Sequence, residues 1–205
     1  MRIRVTFAKS GALRYVGHLD LHKMWERITR RAGLSLAYSQ GFHPQPKIQL
    51  AAALPLGFSS RCELVDLWVE GEADLARLPA DLQGTVPPGL KILSVTGVEE
   101  KSPPLQTQVL SSDYEVTLPP EAGQTGLTQK VESLLKATSL PRERRGKAYD
   151  LRPLIERLEL VEPGKLSMRL SAREGATGRP EEVLEALGIP LDGVQVERTR
   201  LIFEE

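Results

Sequence analysis

Four cations recur on one side of a helix-length segment near the start of the chain. The segment runs from Gly17 to Gly33, and its cations fall within about 100° of one another on a helix of 3.6 residues per turn. Apolar residues repeat on the other side at the helical period. Cations arranged in this way can bind phosphates, with an affinity that falls steeply with salt. The helix is therefore either a phosphate-binding face or a solvated outer face; its cations are Lys23, Arg27, Arg30 and Arg31.

A second basic cluster lies in the segment SLPRERRGKAYDLRP. We expect it to include an exposed loop, in which arginines suit backbone phosphates and Tyr149 offers a surface for stacking. The alternative is a loop that only keeps the protein soluble. The predicted phosphate-binding residues of the chain are Arg14, Lys23, Arg27, Arg30, Arg31, Lys47, Arg142, Arg144, Arg145, Lys147 and Arg152.

Histidines are the weak candidates for catalysis. His18 and His22 stand four residues apart, a spacing that can hold zinc on a helix. The HExxH pattern is absent and no further ligand is fixed, so no metal and no cofactor are predicted. His18 or His43 could act as a general base. His43 lies in GFHPQPK, whose prolines favour a stiff, extended segment that either protects a sheet edge or forms the rim of a ligand site.

Charge is unevenly distributed along a chain that is neutral overall. Of its 205 residues 40% are apolar and 26% charged, which is typical of a globular protein. Residues 1–50 hold nine Lys and Arg against two acids, whereas residues 51–100 hold three against eight. This contrast indicates a basic face directed at a polyanion. No apolar run reaches about 18 residues, the N-terminus alternates unlike a signal peptide, and Cys62 is the single cysteine, so we expect a cytoplasmic protein without a membrane span.

The elements that position these residues follow one order twice. MRIRVTF alternates as a strand, the basic helix follows, and two strands, a short helix and a strand complete the first half. The second half repeats this order from DYEVTL (113–118), with a helix at 125–137 and a turn at 162–165 between two strands. The pattern predicts an α+β protein with two tandem ferredoxin-like domains, 1–100 and 113–205, joined by a linker at 101–112. The alternative is one larger α+β domain.

Several motifs resemble the bacterial radical SAM-linked domain, a family of unknown function. They include the helix start R-Y-x-G-H-L-D, the E-R-x-x-R-R-A run, the G-F-x-P-x-P-K segment and the later K-x-x-D-L-R-P-L-I run. Gly17 departs from the serine usual in the family, which weakens a side-chain cap. The matching residues are Lys9, Gly11, Arg14, Tyr15, His18, Leu19, Asp20, Glu26, Arg27, Arg30, Arg31, Gly41, Phe42, Pro44, Pro46, Lys47, Lys147, Asp150, Leu151, Arg152, Pro153, Leu154 and Ile155.

The resemblance implies a partner more than a reaction. Members of that family occur fused to, or encoded beside, a radical SAM protein, and near a ribonuclease of the E/G type and ribosomal protein genes. This chain lacks the cluster-binding cysteines and would be the accessory half. The expected function is an RNA-binding or substrate-presenting module that partners a radical SAM enzyme in tRNA, rRNA or ribosome-related metabolism, and that is not an enzyme by itself.

Two alternatives remain open. In the first, the chain is a protein–protein adaptor in which Asp20, Asp66 and Asp150 neutralise Arg14, Arg31 or Arg152 in a buried polar seam between its two domains. In the second it is an endoribonuclease like those that process CRISPR repeats, which are also built from paired ferredoxin-like domains, with His18 as the base. If a ligand site exists, we expect one concave surface to gather Arg14, His18, Arg31, His43, Lys47 and Arg152.

Overall fold

The computed structural model describes residues 1–120 and 126–204. The chain combines a small number of short helices with mainly antiparallel strands, and it divides into two compact units, Met1–Val109 and Leu110–Glu205. Among the described residues, no helix has both the length and the apolarity that crossing a membrane requires.

The first unit has four strands and two α-helices in the predicted order. Its strands are antiparallel neighbours in the order β2-β3-β1-β4. Short 3-10 turns at Gly11–Tyr15 and Leu105–Thr107 flank these elements. The elements are β1 (Arg2–Lys9), α1 (His18–Arg31), β2 (Ile48–Leu50), β3 (Ser59–Trp68), α2 (Leu78–Gln83) and β4 (Leu90–Val98).

Packing of α1 on the sheet fixes which side of the helix meets solvent. The alternation in β1 turns Ile3, Val5 and Phe7 inward, and all three are fully buried. Trp25 of α1 is also fully buried, and its ring meets the Phe7 ring edge-on with centroids 5.0 Å apart. Gly33 follows the helix at φ +72°, a left-handed conformation that ends helices at low cost for glycine. The predicted strand, helix and helix end are confirmed.

The second unit contains more strands than the sequence pattern predicts. In its sheet β5 lies between β9 and β11, and β8 and β10 also pair with β9. Thr125, the predicted start of its first helix, lies outside the described residues. The elements are β5 (Val109–Thr117), α3 (Leu127–Lys136), β6 (Pro141–Arg144), β7 (Lys147–Asp150), β8 (Ile155–Glu162), β9 (Lys165–Arg173), β10 (Ala176–Thr177), α4 (Pro180–Ala186) and β11 (Gln195–Phe203).

Two segments differ from their predicted conformation. The basic segment contains the expected exposed loop only as a short turn at Arg145 and Gly146, because its flanking residues pair as a β-hairpin, β6–β7. The segment 101–112 is not devoid of regular structure, because a 3-10 turn begins at Leu105 and β5 begins at Val109. Leu105 is fully buried, and its N–H donates to the side-chain oxygen of Gln49 at 2.6 Å. Burial of isolated apolar residues in this segment orders it despite its lack of periodicity.

Candidate functional site

Helix α1 presents a basic face to solvent. Arg30 forms an ion pair with Glu26, one turn earlier, at 2.9 Å, and 72% of its side chain is exposed. Within the described residues, the other three cations form no side-chain hydrogen bond or ion pair. The two cations of the last turn also stabilise the helix through its dipole, which gives them a structural role as well. The basic face consists of Lys23, Arg27, Arg30 and Arg31, all exposed.

Titratable groups gather where α1 begins. The ammonium group of Lys9, a fully buried side chain, donates to the carbonyl of Val16 at 3.0 Å. Glu63 is buried beside this end of the helix. Partial desolvation lowers the pKa of His18 below 6.5; His22 and Lys9 lower it further, and Glu63 raises it. The neutral imidazole is thereby favoured at pH 7, which is the form that a general base requires.

Lys9 and Glu63 are charged residues that the sequence analysis did not single out as site candidates. The alternation of the strands could have identified both residues. Lys9 lies two residues after Phe7, on the same inward side of β1, and Glu63 lies on the inward side of β3 with Val65. A charged residue at an apolar position of a strand pattern indicates a buried polar group that must be satisfied. Both charges therefore belong to the surroundings of His18.

The remaining predicted site residues of the first unit, Arg14, Lys47 and His43, each have different surroundings. Arg14 is half-buried, and its guanidinium lies over the Tyr15 ring, 5.0 Å from the centroid. Lys47 is exposed, with its backbone paired to Ala37 and Trp68. His43 is exposed in a loop that Ser39 and Gln45 close by a backbone hydrogen bond of 2.8 Å. These contacts order the backbone and leave the Lys47 and His43 side chains directed to solvent.

Arg144 of the second cluster contacts the protein itself. Arg144 forms an ion pair with Glu182 at 2.7 Å, donates to the Thr177 carbonyl at 3.1 Å, and lies over the Tyr149 ring at 4.7 Å. Desolvation lowers the pKa of Arg144, but the hydrogen bond and the charge of Glu182 outweigh it, so the pKa is raised. Desolvation and Glu182 also raise the pKa of Tyr149. One face of the Tyr149 ring is thus already covered by Arg144.

Arg152 holds the end of a helix in place. Its guanidinium donates to the carbonyls of Leu135 at 2.9 Å and Ile155 at 3.1 Å, near the end of α3 and at the start of β8. The carboxylate of Asp150 accepts hydrogen bonds from the backbone N–H groups of Leu140 at 2.7 Å and Arg152 at 2.9 Å. These hydrogen bonds lower the pKa of Asp150. Arg145 and Lys147 at the hairpin turn are exposed, whereas Arg142 is half-buried. Phosphate binding by this cluster stays a prediction.

The buried aspartate of the first unit has other partners than those expected. Asp66, which is 0% exposed, accepts hydrogen bonds from Arg2 at 2.7 Å and from Arg4 at 2.8 Å. Register explains this pairing, because β1 runs antiparallel to β3 with Arg4 opposite Asp66. Asp20 is exposed in the first turn of α1. The predicted pairing of Asp66 with Arg14, Arg31 or Arg152 is wrong.

The proposed shared surface would need a wide ligand. His18 and Arg31 are the first and last residues of α1, so they lie about 20 Å apart along its axis. Arg152 belongs to the second unit. Among the described residues, no group of three or more His, Cys, Asp or Glu is arranged to hold a metal ion. A site common to all six residues remains a prediction.

Fold and site together define a class: a mixed α and β protein with mainly antiparallel strands and a helix whose exposed face is basic. The chain belongs to the family described as "Uncharacterized protein conserved in bacteria (DUF2344)", whose model matches residues 2–180. No curated protein matches it.

Two solved structures match the chain, and the first of them is similar to it in fold. One is described as "Crystal Structure of a Cbf5-Nop10-Gar1 Complex", with a TM-score of 0.50 and 10% identity. The match covers 99% of this chain and 50% of that one, so the chain spans about half the length of its structural relative. The other, an unknown protein from Galdieria sulphuraria, has a TM-score of 0.29 and 16% identity, with 98% of each chain covered. At such identities the likeness to the first concerns the fold alone.

Proposed function

We propose that this chain is an accessory RNA-binding module of the bacterial cytoplasm that contacts phosphates through the basic face of α1. One observation carries the proposal: three of the four cations on this face form no ion pair in the described part of the chain, although acids are abundant in the first unit. Solvated protein surfaces usually intersperse both signs of charge. A one-sided row of unpaired cations is the electrostatic pattern that a polyanion requires.

The architecture that we propose for this module is a tandem pair of ferredoxin-like domains, near residues 1–100 and 113–205. The strand order β2-β3-β1-β4 supports this for the first unit, because the two inner strands are the first and third of a strand–helix–strand–strand–helix–strand order. In the second unit, β5 and β9 take the same inner places, with β11 and β8 outside them.

The proposal is tested by filter binding of total tRNA and rRNA at two salt concentrations. We expect affinity to fall steeply with salt, and the joint substitution Arg27→Gln, Arg30→Gln and Arg31→Gln to weaken binding and make the slope of log K against log salt shallower by about 2. The matched control replaces three exposed cations outside α1 with glutamine, at Arg77, Lys91 and Lys101.

Outcomes of this experiment separate the alternatives. Absence of binding at low salt, or an affinity that does not respond to salt, contradicts RNA binding and favours an adaptor. Unfolding of the triple variant also favours the adaptor, because surface cations contribute little to stability. The lowered pKa of His18 favours a second candidate function, metal-independent RNA cleavage. RNA that stays intact after long incubation at high protein concentration contradicts that candidate.

We further propose that the module acts with a radical SAM enzyme on tRNA, rRNA or ribosomal particles. The support is the resemblance of its helix, GFHPQPK and DLRPLI motifs to the radical SAM-linked domain. Its single cysteine fits an accessory role, since iron–sulfur clusters are held by several cysteine thiolates.

A further inference from the structure

A cavity of about 440 Å³ opens beside the second half of α1. Helix α1 forms one wall, and the segment that follows the helix and Glu70, just after β3, form the others. Backbone contacts hold these walls together: the N–H of Glu70 donates to the Ser35 carbonyl at 2.9 Å, and Leu36 bridges to Val69. The cavity is therefore built from fixed backbone, and its size falls in the range of small-ligand sites.

The cavity combines two carboxylates with the donor groups of Arg30, Ser35 and Tyr38. The exposed carboxylate of Glu70 forms no hydrogen bond or ion pair within the described residues. Glu26 gives one carboxylate oxygen to Arg30. The hydroxyl of Thr29 donates to the Trp25 and Glu26 carbonyls, at 3.0 Å each. A ligand that binds the Glu70 carboxylate must therefore bring hydrogen-bond donors, and Arg30, Ser35 and Tyr38 can donate to its acceptors.

Apolar and aromatic side chains complete the lining. Leu34 and Leu36 line the cavity, and Leu36 is buried. Tyr38 also lines it and is 46% exposed, so its ring is available for contact. A flat ligand with a donor edge satisfies both parts of this lining, because aromatic side chains stack on planar rings.

The cavity adjoins the basic face of α1. Arg30 belongs to both, and Arg27 and Arg31 lie within one turn of it on the same helix. A nucleotide whose base entered the cavity would keep its phosphates near these cations. The arginines at the rim thus suit the phosphate of a nucleotide, and the carboxylate in the cavity suits a base that carries hydrogen-bond donors.

We infer that this cavity binds an unpaired guanine base of RNA, an inference that rests on the proposed RNA binding. Guanine alone among the four bases presents two adjacent donors, N1–H and the 2-amino group, which one carboxylate can accept together. Adenine and cytosine each place an acceptor beside their amino group, and uracil flanks its single N–H with two carbonyls. The Glu70 carboxylate therefore favours guanine, with the Tyr38 ring stacked on it.

The inference is tested with 11-nucleotide RNAs that differ at one central position. Fluorescence anisotropy with the full chain compares a uridine 11-mer with the same strand carrying guanine, adenine or cytosine at its centre. We expect the guanine strand to bind about tenfold more tightly than the uridine strand, the discrimination typical of a bidentate base contact. Glu70→Gln should bring this ratio close to one, and Tyr38→Leu should weaken binding of the guanine strand, because it removes the stacking surface. Glu72→Gln, at an exposed acid two residues away, should leave both unchanged.

Failure of this inference is distinguishable from failure of RNA binding. Four strands with equal, salt-dependent affinities overturn the guanine site and leave the proposed function intact. Strands that do not bind even at low salt overturn both. A guanine preference that survives in Glu70→Gln shows that the base binds elsewhere and overturns the inference.

A basic side chain of a protein partner is the competing occupant. NMR titration of the full chain with guanosine 5′-monophosphate, and separately with agmatine, distinguishes the two. We expect the nucleotide to shift the backbone amide signals of Gly33 and Ser35. Shifts produced by agmatine alone overturn the inference, because the cavity would then accept a guanidinium group.

Discussion

The fully buried carboxylate of Asp66 forms ion pairs with two arginines of the neighbouring strand, Arg2 and Arg4. Arg2 is 2% exposed; besides pairing with Asp66, it donates to the carbonyls of Ser102 and Pro103 and lies over the Trp68 ring. Buried charges of this kind are stable only when every partner is present. Arg2 and Arg4 thus have a structural role and are not available to a ligand.

The residue-scale prediction is that Asp66→Asn destabilises the protein by about 3–5 kcal/mol, because the buried Arg2 guanidinium loses its counter-charge. The free energy of unfolding is measured by urea denaturation at pH 7. Asp81→Asn is the control, since Asp81 pairs with an exposed arginine and should cost less than about 1 kcal/mol. Equal effects of the two substitutions would contradict the structural role of Asp66.

At the scale of elements, the β6–β7 hairpin has no counterpart in the first unit. Arg142 pairs with Tyr149 and Arg144 with Lys147 across the hairpin, and Arg144 anchors it through Glu182. Arg145 has φ +52°, a left-handed conformation that glycine and asparagine adopt more readily than arginine. A costly turn residue is thus retained at an exposed, basic tip.

We expect Arg145→Gly to stabilise the protein by about 0.5–1 kcal/mol, because glycine adopts the left-handed conformation without a Cβ clash. Urea denaturation gives the change, and hydrogen exchange of the hairpin amides locates it. Lys147→Gly is the matched control within the same hairpin, where glycine in a strand should destabilise. A loss of stability in Arg145→Gly would show that the arginine side chain supports the turn.

At the scale of the whole molecule, zero net charge and RNA binding are compatible. The chain carries 27 Lys and Arg against 27 Asp and Glu, so attraction of a polyanion must come from a local excess of cations such as the one on α1. Because this attraction is local, a partner protein that adds RNA contacts would strengthen it without any change in this chain.

The whole-molecule prediction concerns that partner. We expect the tagged chain, expressed in a bacterium that encodes a radical SAM protein of the linked type, to copurify with it after ribonuclease treatment. Mass spectrometry identifies the partner, and an unrelated tagged protein of similar size is the control. If only ribosomal proteins copurify, and ribonuclease treatment removes them, a direct enzyme partner is contradicted. The proposed RNA binding would then still hold.

The sequence by itself determined the local elements. Alternation in β1 and the 3.6-residue repeat of α1 depend on neighbours a few positions apart, so both elements and the one-sided basic face could be predicted from the printed residues. The basic hairpin was not predicted, because β6 and β7 are only four residues each and carry no apolar alternation.

Only the tertiary structure decided which charges are available to a ligand. Asp66 lies more than 60 residues from its partners, and strand register brings them together. The sequence suggests that Arg144 and Arg152 are exposed cations. In the structure Arg144 forms an ion pair with an acid of α4, and Arg152 donates hydrogen bonds to backbone carbonyls. The cavity beside α1 likewise needs Glu26, Tyr38 and Glu70 from three separate segments. Periodicity reports on the next turn of a chain, whereas charge pairing and cavities depend on residues that only folding makes neighbours.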